Sequence, residues 1–314
     1  FIATNPGVRT GLLHTNPLGA SAGPPNPTQG LDRNARAESG LAPPVSGPFG
    51  ALVSPGAQPR SEDIGGIPVP TPSDLSRGRD GGTWLPILMY HYVRNVSRAD
   101  RAGWNLSVSP DDFRKQVAWI KDHGYTPITM RDVDLILTGR KATPLRPVAL
   151  TFDDGYRDFY TAAAPILREA EFTATNYVPT RLVGEKNYMS WSQIRDLDAE
   201  GFEMGAHSQY HVDISTATAR RARAEVFGSK ADLELHLGHP VVDWAYPYGA
   251  VDAAGAALVR EAGFWSGTTT ESGSWHDPSQ LLYLSRVRMG GTAELPSLII
   301  GITEPVSTPR LPLP

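Results

Sequence analysis

Apolar residues fall along this chain in short runs separated by amphipathic stretches, and the alternation begins at Trp84. Leu85 to Tyr90 is an apolar run of the kind a strand buried on both faces needs. Asp111 to His123 then sets Phe113, Val117 and Ile120 on one helical face, with Gly124 where a C-terminal cap would stand. Pro147 to Phe152 reads as a second apolar strand, followed by helical spacing from Phe159 to Ala170. Further strands are predicted over Phe172 to Val178, Phe202 to Ala206, Val241 to Tyr246, Phe264 to Thr268 and Leu281 to Met289. Between them lie a helix opened by a Ser190/Gln193 capping box and ending near Gly201, a long helix over Thr216 to Leu237, and one over Asp252 to Ala262. Strands that alternate with helices imply a parallel sheet. Seven or eight such units predict closure into an α/β barrel, in which reactive side chains gather at the C-terminal strand ends.

Residues 1–82 break this texture. They are rich in Pro, Gly, Ser, Ala and Asn, as in Gly23-Pro24-Pro25-Asn26-Pro27, and their apolar residues follow no helical or strand period. Such a segment cannot bury enough apolar surface to offset its chain entropy, so it reads as a low-order linker or tether. Residues 83–303 form the expected catalytic barrel, and 304–314 a short tail. A net charge of −4 gives no basic footprint for a nucleic acid. No run approaches the roughly 18 apolar residues of a membrane span. With no cysteine, disulfides, thiolate metal sites and a cysteine nucleophile are excluded.

Three predicted strand ends carry chemistry. Thr151-Phe152-Asp153-Asp154-Gly155-Tyr156 ends one of them. Adjacent carboxylates there are costly without a compensating positive charge, which a metal supplies, although Asp-Asp-Gly taken alone fits a turn equally well. Ala206-His207-Ser208-Gln209-Tyr210-His211 ends the second. Two histidines four residues apart share one face of a helical turn, where both can reach one metal. An aspartate with two histidines leaves coordination positions open, as catalytic sites do. The third, Tyr246-Pro247-Tyr248-Gly249, offers a wall and a free backbone N–H at Tyr248.

With Met89-Tyr90-His91 ahead of them, these motifs resemble, in order, those of the polysaccharide deacetylases of carbohydrate esterase family 4. They are most similar to the poly-β-1,6-N-acetylglucosamine deacetylase branch of biofilm systems. The resemblance covers roughly residues 84–300. It implies a distorted (β/α)7 barrel, the NodB homology domain, carrying a Pro/Gly-rich N-terminal extension. It also implies a metal-dependent hydrolase that removes acetyl groups from an N-acetylglucosamine-containing polysaccharide in the extracellular space or cell envelope, with residues 1–82 as a cell-wall or membrane tether.

By the same resemblance, Asp153 is the general base, Asp154, His207 and His211 hold the metal (Zn2+, with Co2+ or Ni2+ as substitutes), and the Tyr248 amide helps stabilise an oxyanion. Two family features are missing. Ala245 stands where many members carry an arginine that orients the base, a role open to Arg286 or Arg288. The late Leu-X-His motif that supplies the general acid is also absent. His91 is the expected substitute, and His276 its rival. Trp191, Trp244, Tyr246 and Trp275 are the candidate sugar-stacking residues. Peptidoglycan or O-acetylated xylan are the alternative substrates, and a non-catalytic carbohydrate-binding envelope protein is the alternative of another class.

Overall fold

The computed structural model describes residues 82–97, 99–291 and 295–302. The tether expected over 1–82 and the tail over 304–314 lie outside the described residues, apart from Gly82.

The described chain begins with strands β1 (Thr83–Trp84), β2 (Ile87–Tyr90) and β3 (Tyr92–Val93), helix α1 (Arg101–Leu106) and strand β4 (Ser107–Val108). Helix α2 (Pro110–Asp122), strand β5 (Thr126–Ile128), helix α3 (Met130–Leu137) and strand β6 (Pro147–Phe152) follow. A five-residue π-turn (Phe159–Ala163) leads into α4 (Ala164–Ala170), then β7 (Thr175–Val178), α5 (Trp191–Ala199), β8 (Glu203–Ala206) and α6 (Ala219–Leu237). The last elements are β9 (Asp243–Ala245), α7 (Ala253–Glu261), β10 (Ser266–Ser272), β11 (Trp275–His276), β12 (Leu284–Arg288) and α8 (Leu295–Ile302).

Seven strands close a ring in the order β2-β12-β10-β9-β8-β7-β6, with β6 returning to pair with β2. Each of these pairings is parallel. The expected (β/α)7 barrel is therefore present. β5 adds a parallel pairing along the first half of β6. The predicted capping box is formed: Ser190 Oγ accepts from Gln193 N–H, and Gln193 reaches back to the Ser190 amide. Between β5 and β6 the sequence reading assigned nothing, because Pro127 interrupts the strand pattern and α3 is only 8 residues long.

Strand parity sorts the side chains into two layers. Outward residues such as Leu88, Leu150, Phe152, Met204 and Trp244 pack against the helices. Inward residues such as Ile87, Ala149, Tyr177, Ala245 and Leu284 fill the barrel. Tyr177 fits because Gly205 stands beside it; a methyl group there would lie 2.5 Å from its ring. The same alternation carried forward from β2, β6, β8 and β12 aims His91, Asp153, His207 and Arg286 at the barrel axis.

The interior changes character at the N-terminal end. Glu203 and Asp243 begin β8 and β9 and point inward, while α3 packs its buried face against them. Glu203 accepts the Arg131 N–H at 3.0 Å and the Thr175 hydroxyl at 2.9 Å, and Ser266 donates to Asp243 at 3.1 Å. Asp134 of α3 is 1% exposed, and neither of its carboxyl oxygens has a hydrogen-bond donor. Burial pushes the carboxyls of Asp134 and Asp243 up to about 8, and that of Glu203 well above its ordinary value.

Candidate active site

Asp153 follows β6 with its side chain inside the barrel, and Asp154 turns away because its backbone is left-handed, at φ 73°. One strand end thus sends two adjacent carboxylates to different partners. Both oxygens of Asp153 are gripped by Arg286 of β12, from Nη1 and Nη2, each at 2.7 Å. Arg286 is 0% exposed and is itself held by the Thr269 carbonyl at 2.8 Å and the Thr151 hydroxyl at 3.1 Å. Burial would raise the Asp153 carboxyl, but the guanidinium outweighs it and holds the group below its ordinary value. Of the two arginines considered, Arg286 meets Asp153, whereas Arg288 at the end of β12 is exposed.

Asp154 Oδ1 lies 3.3 Å from His207 Nε2 and 3.2 Å from His211 Nε2. The histidines converge through a tight turn rather than a helical one, with Ser208 at φ 61° and His211 at φ 57°. Seven non-glycine residues among those described have positive φ, and Asp154, Ser208, His211 and Tyr248 are four of them. Backbone strain is thus concentrated where the motifs meet, as at sites that hold side chains in fixed geometry. His207 Nδ1 lies 2.8 Å from the Ala245 carbonyl, which can only accept. The Nδ1–H tautomer is thereby favoured, leaving the Nε2 lone pair facing Asp154.

Glu225, a residue the sequence reading did not single out, holds the histidine turn in place. It is 1% exposed on α6, and its Oε2 accepts the Gln209 and Tyr210 N–H groups at 2.7 and 2.9 Å. Its signal was an acid on the buried face of α6, in step with Ala222, Val226, Ser229 and Leu233. Gly228 lets this helix approach, since a methyl there would meet the Gln209 side chain.

The atoms Asp154 Oδ1, His207 Nε2 and His211 Nε2 lie within 4.8 Å of one another. Asp154 Oδ1 is buried and accepts no hydrogen bond. Burial would raise the Asp154 carboxyl, yet the two imidazoles hold it well below its ordinary value. Two imidazole nitrogens and a carboxylate oxygen facing one point suit a divalent cation.

His91 leaves β2 into the same space, its Nε2 3.9 Å from Asp153 Oδ2 and its Nδ1 buried without a partner. Burial holds the His91 imidazole below its ordinary value, outweighing the pull of Asp153 and Asp154 in the other direction. Tyr248 sits at φ 62° in the Pro247–Gly249 turn, which is tied by Gly249 N–H to the Tyr246 carbonyl and Ala250 N–H to the Pro247 carbonyl. Its ring is 68% exposed and meets His211 edge-on at 4.6 Å.

The four aromatic residues expected to stack on sugars lie elsewhere. Trp244 and Tyr246 are 0% and 1% exposed in the outer core layer, because strand parity turns them toward the helices. Trp191 packs on that core and stacks on His236 at 3.8 Å. Trp275 pairs edge-on with Trp84 at the barrel's foot, away from Asp153. His276, the rival proton donor, is at the foot too, with Nε2 2.9 Å from the Leu85 carbonyl. Tyrosines occupy the mouth instead. Tyr92 and Tyr156 stack at 3.8 Å, and Tyr188 lies 5.2 Å from Tyr156. Tyr156 directly follows Asp153-Asp154-Gly155, so its position was legible in the sequence.

Known proteins are similar to this chain in sequence and in fold. Residues 140–266 match the family model described as polysaccharide deacetylase. His91 and Arg286 fall outside that span. A homologue in Bacillus subtilis, YxkH, is 28% identical over 205 residues, covering 65% of this chain and 71% of that protein. The poly-β-1,6-N-acetyl-D-glucosamine N-deacetylase of Escherichia coli is 25% identical over 257 residues, 66% of this chain, and the match spans 37% of that enzyme's length. Among solved structures, the Streptococcus pyogenes deacetylase PplD in complex with acetate aligns with a TM-score of 0.67 and 29% identity over 71% of this chain and 100% of that one. With the barrel and the motifs at its mouth, these matches identify a polysaccharide deacetylase domain in the chain, matched over residues 140–266.

Proposed function

We propose that this protein is a metal-dependent deacetylase acting on an N-acetylglucosamine-containing polysaccharide of the extracellular space or cell envelope. The observation that carries the reading is the division of labour at the end of β6: Asp154 faces two imidazoles and Asp153 faces a guanidinium. Asp154, His207 and His211 would hold the metal, and two nitrogens with one carboxylate oxygen suit zinc, with cobalt or nickel able to substitute. When bound, such an ion polarises an acyl carbonyl and acidifies water.

The remaining steps belong to the chain's own groups. Asp153 stays ionised under the grip of Arg286, so it can take a proton from water in the mouth. Arg286 fixes the direction in which that carboxylate points. The Tyr248 N–H donates to the acyl oxygen as it takes on negative charge. His91 hands a proton to the departing amine, and acetate leaves. The relatives named for poly-β-1,6-N-acetylglucosamine support an amino-sugar polymer as substrate.

Acetate release by the zinc-loaded protein tests this directly, with N-acetylglucosamine polymers, peptidoglycan and acetylated xylan compared side by side. Release from the amino-sugar polymers is expected. Release from acetylated xylan alone would make the protein an esterase. Binding without release from any of them would make it a carbohydrate-binding protein.

A further inference from the structure

A second feature sits at the opposite end of the barrel. There a cavity of about 550 Å³ is lined by Trp84, Trp119, His123, Tyr125 and Arg146, with Ile302 on its wall. Trp84 precedes β2 and Pro147 opens β6, so this is the foot, where the strands begin.

The rings are held in place rather than packed away. Trp119 stacks on His123 at 3.9 Å, and the Tyr125 hydroxyl donates to the Ile302 carbonyl at 3.2 Å. Trp275, 49% exposed, extends the aromatic surface by meeting Trp84 edge-on at 5.5 Å. Arg146 is the polar member. Its guanidinium donates to the His123 carbonyl at 2.6 Å and stands 5.9 Å from the Tyr125 ring centre.

Arg146 also has φ 46°, a left-handed conformation in a residue that directly precedes a proline. That combination is doubly disfavoured, since a residue before proline prefers extended backbone. It persists because the Arg146 carbonyl accepts the Thr126 N–H at 2.9 Å. A strained residue that sets a cation beside the Tyr125 ring at the edge of an open cavity motivates a binding role.

We propose that this foot cavity is a second, non-catalytic binding site for acetylated sugar units of the same polysaccharide, an inference that rests on the deacetylase reading above. Trp119, Tyr125 and Trp84 supply apolar ring faces and edges for the C–H faces of a pyranose, and Arg146 donates to the acyl carbonyl oxygen. A deacetylated unit carries an ammonium group, which Arg146 repels, so the site distinguishes unprocessed polymer from product. Holding acetylated chain at the foot raises its effective concentration near the mouth.

The test pairs Trp119→Ala and Arg146→Gln with wild type in the zinc-loaded full chain. Polymer and short oligomer are assayed for acetate release. Affinity electrophoresis through acetylated and deacetylated polymer is run in parallel on the same proteins carrying Asp153→Asn. Both variants should raise the polymer KM by about tenfold or more with kcat unchanged, as loss of a second contact point does. Turnover of the short oligomer should stay at the wild-type level, which also shows that the variants fold. Retardation by acetylated polymer should fall, and retardation by deacetylated polymer should be weak throughout. Wild-type behaviour of both variants on polymer would overturn the proposal. So would retardation that appears only after residues 303–314 are removed, which would assign the cavity to the chain's own C-terminal segment. The electrophoresis reads the foot site even if no acetate is released, so its failure is separable from failure of the deacetylase reading.

Discussion

Asp153 and Arg286, 133 residues apart in the chain, form a two-pronged ion pair inside the barrel, with both N–O distances at 2.7 Å and neither residue more than 3% exposed. A buried pair of this kind is costly to break, because whichever charge remains has lost its water and its partner. Arg286→Gln is therefore expected to destabilise the protein by about 3–5 kcal/mol. Adding Asp153→Asn should restore most of that loss, since the orphaned carboxylate goes with it. Denaturant melts of the four proteins in the cycle measure the coupling. Additive effects would mean that the pair contributes nothing to the fold.

Glu225 never reaches the mouth, yet it holds the turn that carries both histidines. Glu225→Ala should weaken zinc binding by about 10–100-fold, the usual cost of losing support behind a metal ligand. Calorimetric titration of the metal-free protein with zinc reads this. An unchanged affinity would show that the turn keeps its shape without the carboxylate.

The acids at the foot set a pH dependence. The carboxyls of Asp134 and Asp243 lie at about 8 in the folded protein and near 3.9 unfolded. The folded state therefore binds more protons, and stability declines as pH rises from about 4 through about 8. The groups facing this cluster are Arg131 and Asp134 of α3, Glu203 of β8, Asp243 of β9, Tyr177 and Thr175 of β7, and Ser266 of β10. Asp134→Asn removes one ionisation without changing size. Its Tm at pH 9 should exceed the wild type's by about 2–4 °C for each kcal/mol regained, with the difference closing toward pH 4. A wild-type Tm that rises between pH 6 and 9 would contradict the assignment.

Trp244 tests the parity argument. Trp244→Ala should cost about 3–5 kcal/mol of stability, as for a large core side chain. The polymer KM of the folded fraction should not change, because the ring faces the helices. A raised KM at unchanged stability would return Trp244 to the sugar groove.

Much of the molecule was legible in the sequence, and the failures have physical causes. The motifs fall at strand ends because apolar runs and turn residues mark those ends. Trp244 and Tyr246 have the residue type of a sugar platform, but alternation from Asp243 and Ala245 sends Trp244 to the opposite face. Arg286 and Arg288 share a face, and only depth along β12 separates a buried arginine from an exposed one. Depth depends on how β12 registers against β2 and β10, which a single strand does not encode. The carboxyls at the foot were missed because α3, which brings Asp134 to them, is short and follows a proline-containing strand.

The central claim is that two adjacent aspartates do different work, and the most direct measurement is zinc content beside acetate release for wild type, Asp153→Asn and Asp154→Asn. Asp153→Asn should keep its zinc and lose activity by about 10²-fold or more, the range for removing a general base. Asp154→Asn should lose both together. An active Asp153→Asn, or one that no longer holds zinc while Asp154→Asn does, would contradict the account.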